Sequence, residues 1–404
     1  MCKKDSGFSR KKVSGGSTPA PSTGWQRPIE WLPIPSYTVD EEVIYLLNAV
    51  WDTTVNPCAF LMNGTGAGYT VDWGDGTTSN HAMNTVAQKN FAYSALSGTP
   101  FRGYRQALIK ITPQAGAVIN SVDLCRRHSS YAYKYSTSFL EIVCNIETQN
   151  NAIPFNNGGL VFHPYVESVF YKKHTSTNLQ NLFVDFYSLQ KVNTFNTGHC
   201  TGVQSKFQRC YLLQEIPEFN YSNVMNASYA FDSCSALKKI KTNDFRKVTN
   251  ATYMTGGCPN LNDLSNLQFR DVTNMELFNY TGGRLTNLPD LSLANSIVGS
   301  LNYAFYTNGS LKILPYINLA GSTNFADIFA GTLPARTVIR SLLVGATRSH
   351  GFYANQLLDA AALNEIFTNL GIAFPGASIT ITGNPGAGSC TTSIASSKGW
   401  TILN

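Results

Sequence analysis

Cys210, Cys234 and Cys258 follow one another at intervals of 24 residues. If the chain coils with that period, the three thiols stand in a column, with neighbours about 5 Å apart like adjacent strands. A disulfide needs Cα atoms about 4.4–6.8 Å apart, so an inter-coil bond between two of the three is sterically allowed. The preferred reading is that cysteine serves here as a small buried residue in a tight ladder position. The chain has nine cysteines, an odd number, so at least one thiol stays unpaired within it. Cys2, on a flexible arm, is the candidate for pairing with another chain or another copy. No C-x-x-C occurs, and zinc is not expected.

Other chemistry-bearing patterns are weak. His81, His128, His163, His174, His199 and His350 share no H-E-x-x-H spacing and read as surface or loop residues. Gly64-Thr65-Gly66-Ala67-Gly68 looks like a phosphate-cradling loop, but it leads into a strand and lacks the helix N-terminus that binds phosphate. It is expected to be a hairpin loop. The acidic residues Asp185, Glu215, Asp232, Asp263, Asp271 and Asp290 are scattered, with no paired-carboxylate signature. The sequence does offer aromatic display. Tyr131, Tyr133 and Tyr135 alternate on one strand face, and Tyr171 follows among further aromatics. Set among neutral Asn and Thr, these four are candidate contact residues for glycan or protein; the plainer reading is internal packing.

The elements that position these residues announce themselves by repetition. The triplet Leu189-Val192-Phe195 returns as Leu213-Ile216-Phe219, Leu261-Leu264-Leu267, Leu285-Leu288-Leu291 and, two residues late, Leu311-Leu314-Ile317. Leu237 and Ile240 fill the gap in register, and Phe183, Phe207 and Phe231, then Phe278, Phe305 and Phe329 with small drifts, mark the same beat upstream. Fixed-period recurrence predicts a solenoid, whose coils bury their apolar edges only by stacking on one another. Solenoids mostly present surfaces.

Around this middle the sequence divides into four parts. Residues 1–36, rich in Gly, Pro and Ser, read as an extended arm carrying Trp25 and Trp31. These tryptophans either clip onto the chain's own next domain or anchor the arm to a partner. Residues 37–115 alternate like strands, as in Tyr69–Trp73 and Ala107–Ile111. Residues 116–347 form the solenoid, with degenerate first coils at Val122-Asp123-Leu124, Phe139–Val143 and Tyr165–Val169. Residues 348–404 form a different terminal unit, with a helix over Leu357–Phe367 and strands at Ile379–Thr382 and Gly399–Ile402. The predicted class is mainly β with a C-terminal α/β cap.

Composition narrows the function classes. At 404 residues the chain exceeds one compact core. Charged residues make up 13%, about half the usual share. The net charge is +6, of which the first 12 residues hold +4, so no broad nucleic-acid footprint remains. No apolar run is long enough to span a membrane, and no apolar stretch follows the basic start, so neither membrane insertion nor a secretory signal is expected. Cysteines without an export signal imply synthesis in a reducing compartment.

Three resemblances add to this. Asp72-Trp73-Gly74-Asp75-Gly76-Thr77 resembles the signature turn of polycystic-kidney-disease-type β-sandwich domains, which implies an Ig-like sandwich. Asp72 and Asp75 then more often cap their own turn than bind Ca²⁺. Lines such as Phe231–Ile240 and Ser222-Asn223-Val224-Met225 resemble the BspA-type leucine-rich repeat. The tail, with Tyr104–Ala107 and Thr112–Gly116, resembles repeat-bearing structural proteins of tailed bacteriophages. That last resemblance implies a non-enzymatic virion protein without cofactor or metal, made in the host cytoplasm and assembled as a homo-oligomer. It would be a fibre, collar or decoration protein. Its arm, through Cys2, Trp25 and Trp31, would hold other virion proteins, and its solenoid would meet a host surface glycan or protein. The rival readings are a bacterial cell-surface adhesin and a polysaccharide-degrading spike.

Overall fold

A computed structural model describes residues 25–404 apart from 125, 132–136, 149–162, 243, 282–284, 290, 292–299, 307–312, 315–318, 321, 323–327, 329–337, 340–343 and 352–357. The structure is mainly β and contains a β-solenoid of about eight turns. The first unit holds β1 (Val43–Trp51), β2 (Pro57–Thr65), β3 (Tyr69–Asp72), β4 (Thr78–His81), β5 (Val86–Asn90), β6 (Tyr104–Pro113) and β7 (Val118–Asp123). The next strands are β8 (Phe139–Thr148), β9 (Ser168–His174) and β10 (Lys191–Val192). One seven-stranded sheet runs β10-β9-β8-β1-β6-β3-β4, and a three-stranded sheet, β5-β2-β7, lies against it through a shared apolar core.

The seven-stranded sheet has two characters. On one side of β8 its pairing is antiparallel, β8 to β1 and β1 to β6; on the other it is parallel, β8 to β9 and β9 to β10. The first unit and the first coils are therefore one hydrogen-bonded sheet. Val122-Asp123-Leu124, expected to open the solenoid, instead runs into β7, antiparallel to β2. Strand pairing thus continues across the expected junction at residue 116. The glycine loop of residues 64–68 is likewise no hairpin, because β2 and β3 belong to different sheets and the loop crosses between them. A Cβ at Gly64, Gly66 or Gly68 would lie 2.0–2.1 Å from a carbonyl oxygen of the facing chain, which explains the glycines.

β1 is buried along nearly its whole length, as a central strand apolar but for Asn48 should be when both faces are covered. Ile44, Leu46 and Val50 face the shared core. Leu47 and Ala49 face out, where Trp31 covers them with Tyr104 and Leu140. Val43 and Tyr45 meet Ile34 and Tyr37. The stretch from Trp25 to Tyr37 is thus a strap across the outer face of the sheet.

Within the solenoid, parallel bridges join Asn178, Gly202, Asn226, Asn250, Asn274 and Ser300 in one column. Each column asparagine turns the chain by accepting, through Oδ1, the amide of the residue two further on, at 2.9–3.0 Å. Two left-handed residues per coil then bend the backbone. One column is Asn181, Ser205, Tyr229, Tyr253, Leu277 and Tyr303; the other is Asp185, Arg209, Ser233, Gly257 and Thr281. A non-glycine residue pays about 1–2 kcal/mol for this conformation. Hydrogen bonds between coils offset it: the amides of Leu179, Asn181, Phe183 and Asp185 reach the carbonyls of Gly202, Gln204, Lys206 and Gln208, and later coils repeat the set. Short strands β11 (Glu215–Ile216) and β12 (Lys239–Ile240) pair in parallel on the far edge, as do β13 (Ile313–Leu314) and β14 (Val338–Ile339).

Inside, Phe183, Phe207 and Phe231 stack at 5.1 and 6.2 Å. The inter-coil bonds carry this column on to Thr255, Asn279 and Phe305, so Phe278 is one residue out of it. Phe278 stands instead in the neighbouring inward column Lys206, Ala230, Met254, Phe278 and Ala304. Leu311, Ile317 and Phe329 lie outside the described residues.

The C-terminal region has a parallel sheet of β15 (His350–Gly351), β16 (Ser378–Thr380) and β17 (Thr401–Leu403), with helices α1 (Ala360–Asn369) and α2 (Ser393–Ser396) between its strands. Asp359 caps α1 by accepting the Ala362 amide, and the Lys398 amine donates to the carbonyls of Phe367, Thr368 and Leu370 at its other end. No helix of the described residues is long and apolar enough to cross a membrane.

Candidate interaction surface and buried polar sites

The Asp72–Thr77 turn is closed by its own side chains. Asp72 accepts the Gly74 amide at 2.9 Å and Asp75 the Thr77 amide at 3.1 Å, while Gly74 and Gly76 supply φ of 73° and 84°. Lys89 lies 2.6 Å from Asp75. Burial alone would raise the Asp75 pKa, but the hydrogen bonds from Lys89 and Thr77 outweigh it and hold the carboxyl below its ordinary value. Among the described residues no group of three His, Cys, Asp or Glu side chains is placed to hold a metal. His163 and His350 are buried, contrary to the surface expectation; His163 packs between Phe139 and Phe186.

The cysteine column forms as the spacing requires, but as free thiols. Cys210, Cys234 and Cys258 are buried, and their Sγ atoms donate at 3.1 Å to the carbonyls of Phe183, Phe207 and Phe231. Burial raises all three thiol pKa values, that of Cys258 to about 12. Cys2 lies outside the described residues.

Trp25 and Trp31 are both held by this chain. Trp31 is 2% exposed and its indole NH donates to the Tyr104 hydroxyl; Trp25 donates to Glu167. Arg27 joins them, donating to Glu141 and to the Trp31 carbonyl. Of the expected contact aromatics, Tyr171 is fully buried and hydrogen-bonds Thr148, so it is a core residue and not a contact. The sequence did not show that β9 lies inside the sheet. Tyr131 is half-buried against His128, and Tyr133 and Tyr135 lie outside the described residues.

The solenoid carries a different aromatic strip. Tyr187 and Tyr211 stack at 5.1 Å, and a second set, Tyr229, Tyr253, Tyr280 and Tyr306, follows at ring separations of 5.2, 6.0 and 5.0 Å. Tyr211 is exposed and the others are half-buried. Their faces meet one another, so ring edges and hydroxyls are what remain for a partner. Beside them Arg209 clamps Asp185 with two nitrogens, and Asp232 accepts from Gln208 and Ser233. Burial raises the Asp232 pKa despite those hydrogen bonds. Asp185 is 2% exposed, with both oxygens taken up by Arg209, so this ion pair ties two coils together. Tyr187 to Tyr211 and Tyr229 to Tyr253 keep the 24-residue period, whereas Tyr280 and Tyr306 depart from it, so spacing alone does not reveal these contacts.

The least expected residue is Lys206. It is fully buried in the apolar column, with Nζ 3.7 Å from the Phe219 ring centre, 4.8 Å from Phe195, and 5.3 Å from Phe207 and Tyr221. Its Nζ donates a hydrogen bond to the Tyr221 hydroxyl, at 3.2 Å. Ring faces favour an ammonium ion, but burial disfavours it more and pulls the pKa down to about 7.

A family model described as "Mycoplasma protein of unknown function, DUF285" matches residues 177–287, the coils that carry Lys206 and the tyrosines from Tyr187 to Tyr280. Neither the curated proteins nor the solved structures gave a match.

Proposed function

We propose that this chain is a structural component of a tailed phage particle, an exposed appendage that presents its solenoid to the host envelope or to neighbouring subunits. In this reading the first unit is an Ig-like sandwich of the polycystic-kidney-disease type, the middle is a leucine-rich-repeat solenoid, and α1 to β17 cap it. The observation that carries the reading is the seven-stranded sheet, which leaves no flexible joint between β1 and the first coils. Such a body transmits force along its length and displays long faces. The low share of charge, 13%, supports close approach to other surfaces. The strap holds Trp25 and Trp31 to this chain, so attachment to the particle falls to the residues before it.

The match to a family described from Mycoplasma favours a second reading, a surface adhesin of a cellular organism. Immunogold electron microscopy of purified particles, with an antibody against the solenoid, separates the two. Gold at the tail, collar or head supports the virion reading and locates the protein. Unlabelled particles beside labelled cells would overturn it.

A further inference from the structure

Lysine is almost never fully buried without an anionic partner. Lys206 occupies an inward position that neighbouring coils fill with Ala230, Met254 and Phe278, so the fold does not require an amine there. Its cage of Phe195, Phe207, Phe219 and Tyr221 is built from one coil and the start of the next. No carboxylate among the described residues forms an ion pair with it. The titratable groups that face it are Cys200 and Tyr221. Burial raises both, Cys200 to about 11, so neither is charged at neutral pH.

We propose that Lys206 is a proton-responsive weak point of the solenoid, at which the coil spanning residues 195–221 opens more readily as the pH falls from alkaline to neutral. In the closed coil the amine holds its proton only below about pH 7, whereas an opened coil exposes a lysine with the ordinary value of 10.5. Between those values opening takes up one proton, so the opening constant falls about tenfold for each unit of rising pH. Below about pH 7 both forms are protonated, and the dependence flattens at its most open level. The inter-coil bonds from Phe207 to Ala230 and from Phe183 to Lys206 are the ones released.

Hydrogen exchange of the full chain between pH 6 and 9.5, corrected for intrinsic rates and measured where reclosing outpaces exchange, tests this. The Phe183 and Phe207 amides should show an opening constant that levels off below pH 7 and falls about 50-fold between pH 7 and 9. In Lys206→Met, a residue the column accepts at Met254, the same amides should be more protected and flat with pH. A flat wild-type profile, or an equal slope in the variant, would overturn the proposal. Should the variant fail to fold, a ¹³Cε titration of the wild-type lysines decides. One lysine with contacts to the Phe219 ring should titrate near 7; all lysines titrating near 10.5 would refute it.

Discussion

The Nζ of Lys206 lies 3.7 Å from the centre of the Phe219 ring, inside a column whose other members are apolar. Stability is sacrificed at this point, because the unfolded chain lets the amine charge in water. Replacing Lys206 by Met should stabilise the protein at pH 7.5 by about 4 kcal/mol, read from urea denaturation. The gain should shrink toward the loss or gain from packing alone above pH 10.5, where the lysine is neutral in both states. A destabilised Lys206→Met at pH 7.5 would count against the uncharged, buried amine.

Arg209 and Asp185 stand one coil apart and in the same left-handed column. Asp185 is 2% exposed, whereas the Arg209 side chain keeps 35% of its exposure. Arg209→Ala therefore strands a buried carboxylate and should cost about 2–3 kcal/mol, a value reduced from that of a fully buried pair for solvent screening. Asp185→Asn in the Arg209→Ala background should recover part of the loss. Thermal melting of the four proteins checks both statements.

Trp31 seals the outer face of β1, so Trp31→Ala should cost about 3 kcal/mol or more and loosen the strap. Limited proteolysis should then cut near residues 27–36 in the variant and spare the native protein. Equal cleavage of both would show that the strap is not held by its tryptophan.

The stacked thiols should be inert. Cys210, Cys234 and Cys258 are buried, and burial keeps them protonated well above neutral pH. An aromatic disulfide reagent at pH 8 should leave all three unmodified in the native protein and modify them in urea, as mapped by mass spectrometry. A native disulfide between any two would contradict the structure's free column.

The period, the cysteine column and the solenoid itself were legible because stacking forces every coil to repeat its inward residues. The strands β3 and β6 were legible from alternation. What alternation cannot reveal is which edge a strand joins. β8 pairs with β1, almost a hundred residues earlier, and that long-range choice fused two expected domains into one sheet. Tyr171 had two readings, a contact or internal packing, and its burial in the shared core follows the plainer one. Phe278 was read as the Phe231 column because a similar residue fell nearby, although the coil bonds run through Thr255 and Asn279. Lys206 was missed because charge in a sequence is read as surface. Aligning Leu182, Lys206, Ala230, Met254 and Phe278 in register would have placed it inside.

The central claim, that this chain is an exposed part of a phage particle, is tested most directly by quantitative mass spectrometry. The sample is density-gradient-purified particles released from cultures that carry the gene, before and after mild protease treatment. The account predicts peptides from residues 177–287 at a fixed ratio to the major capsid protein, lost to protease while the capsid signal stays. Their absence from intact particles, with the chain recovered only from infected or bacterial cells, would contradict it.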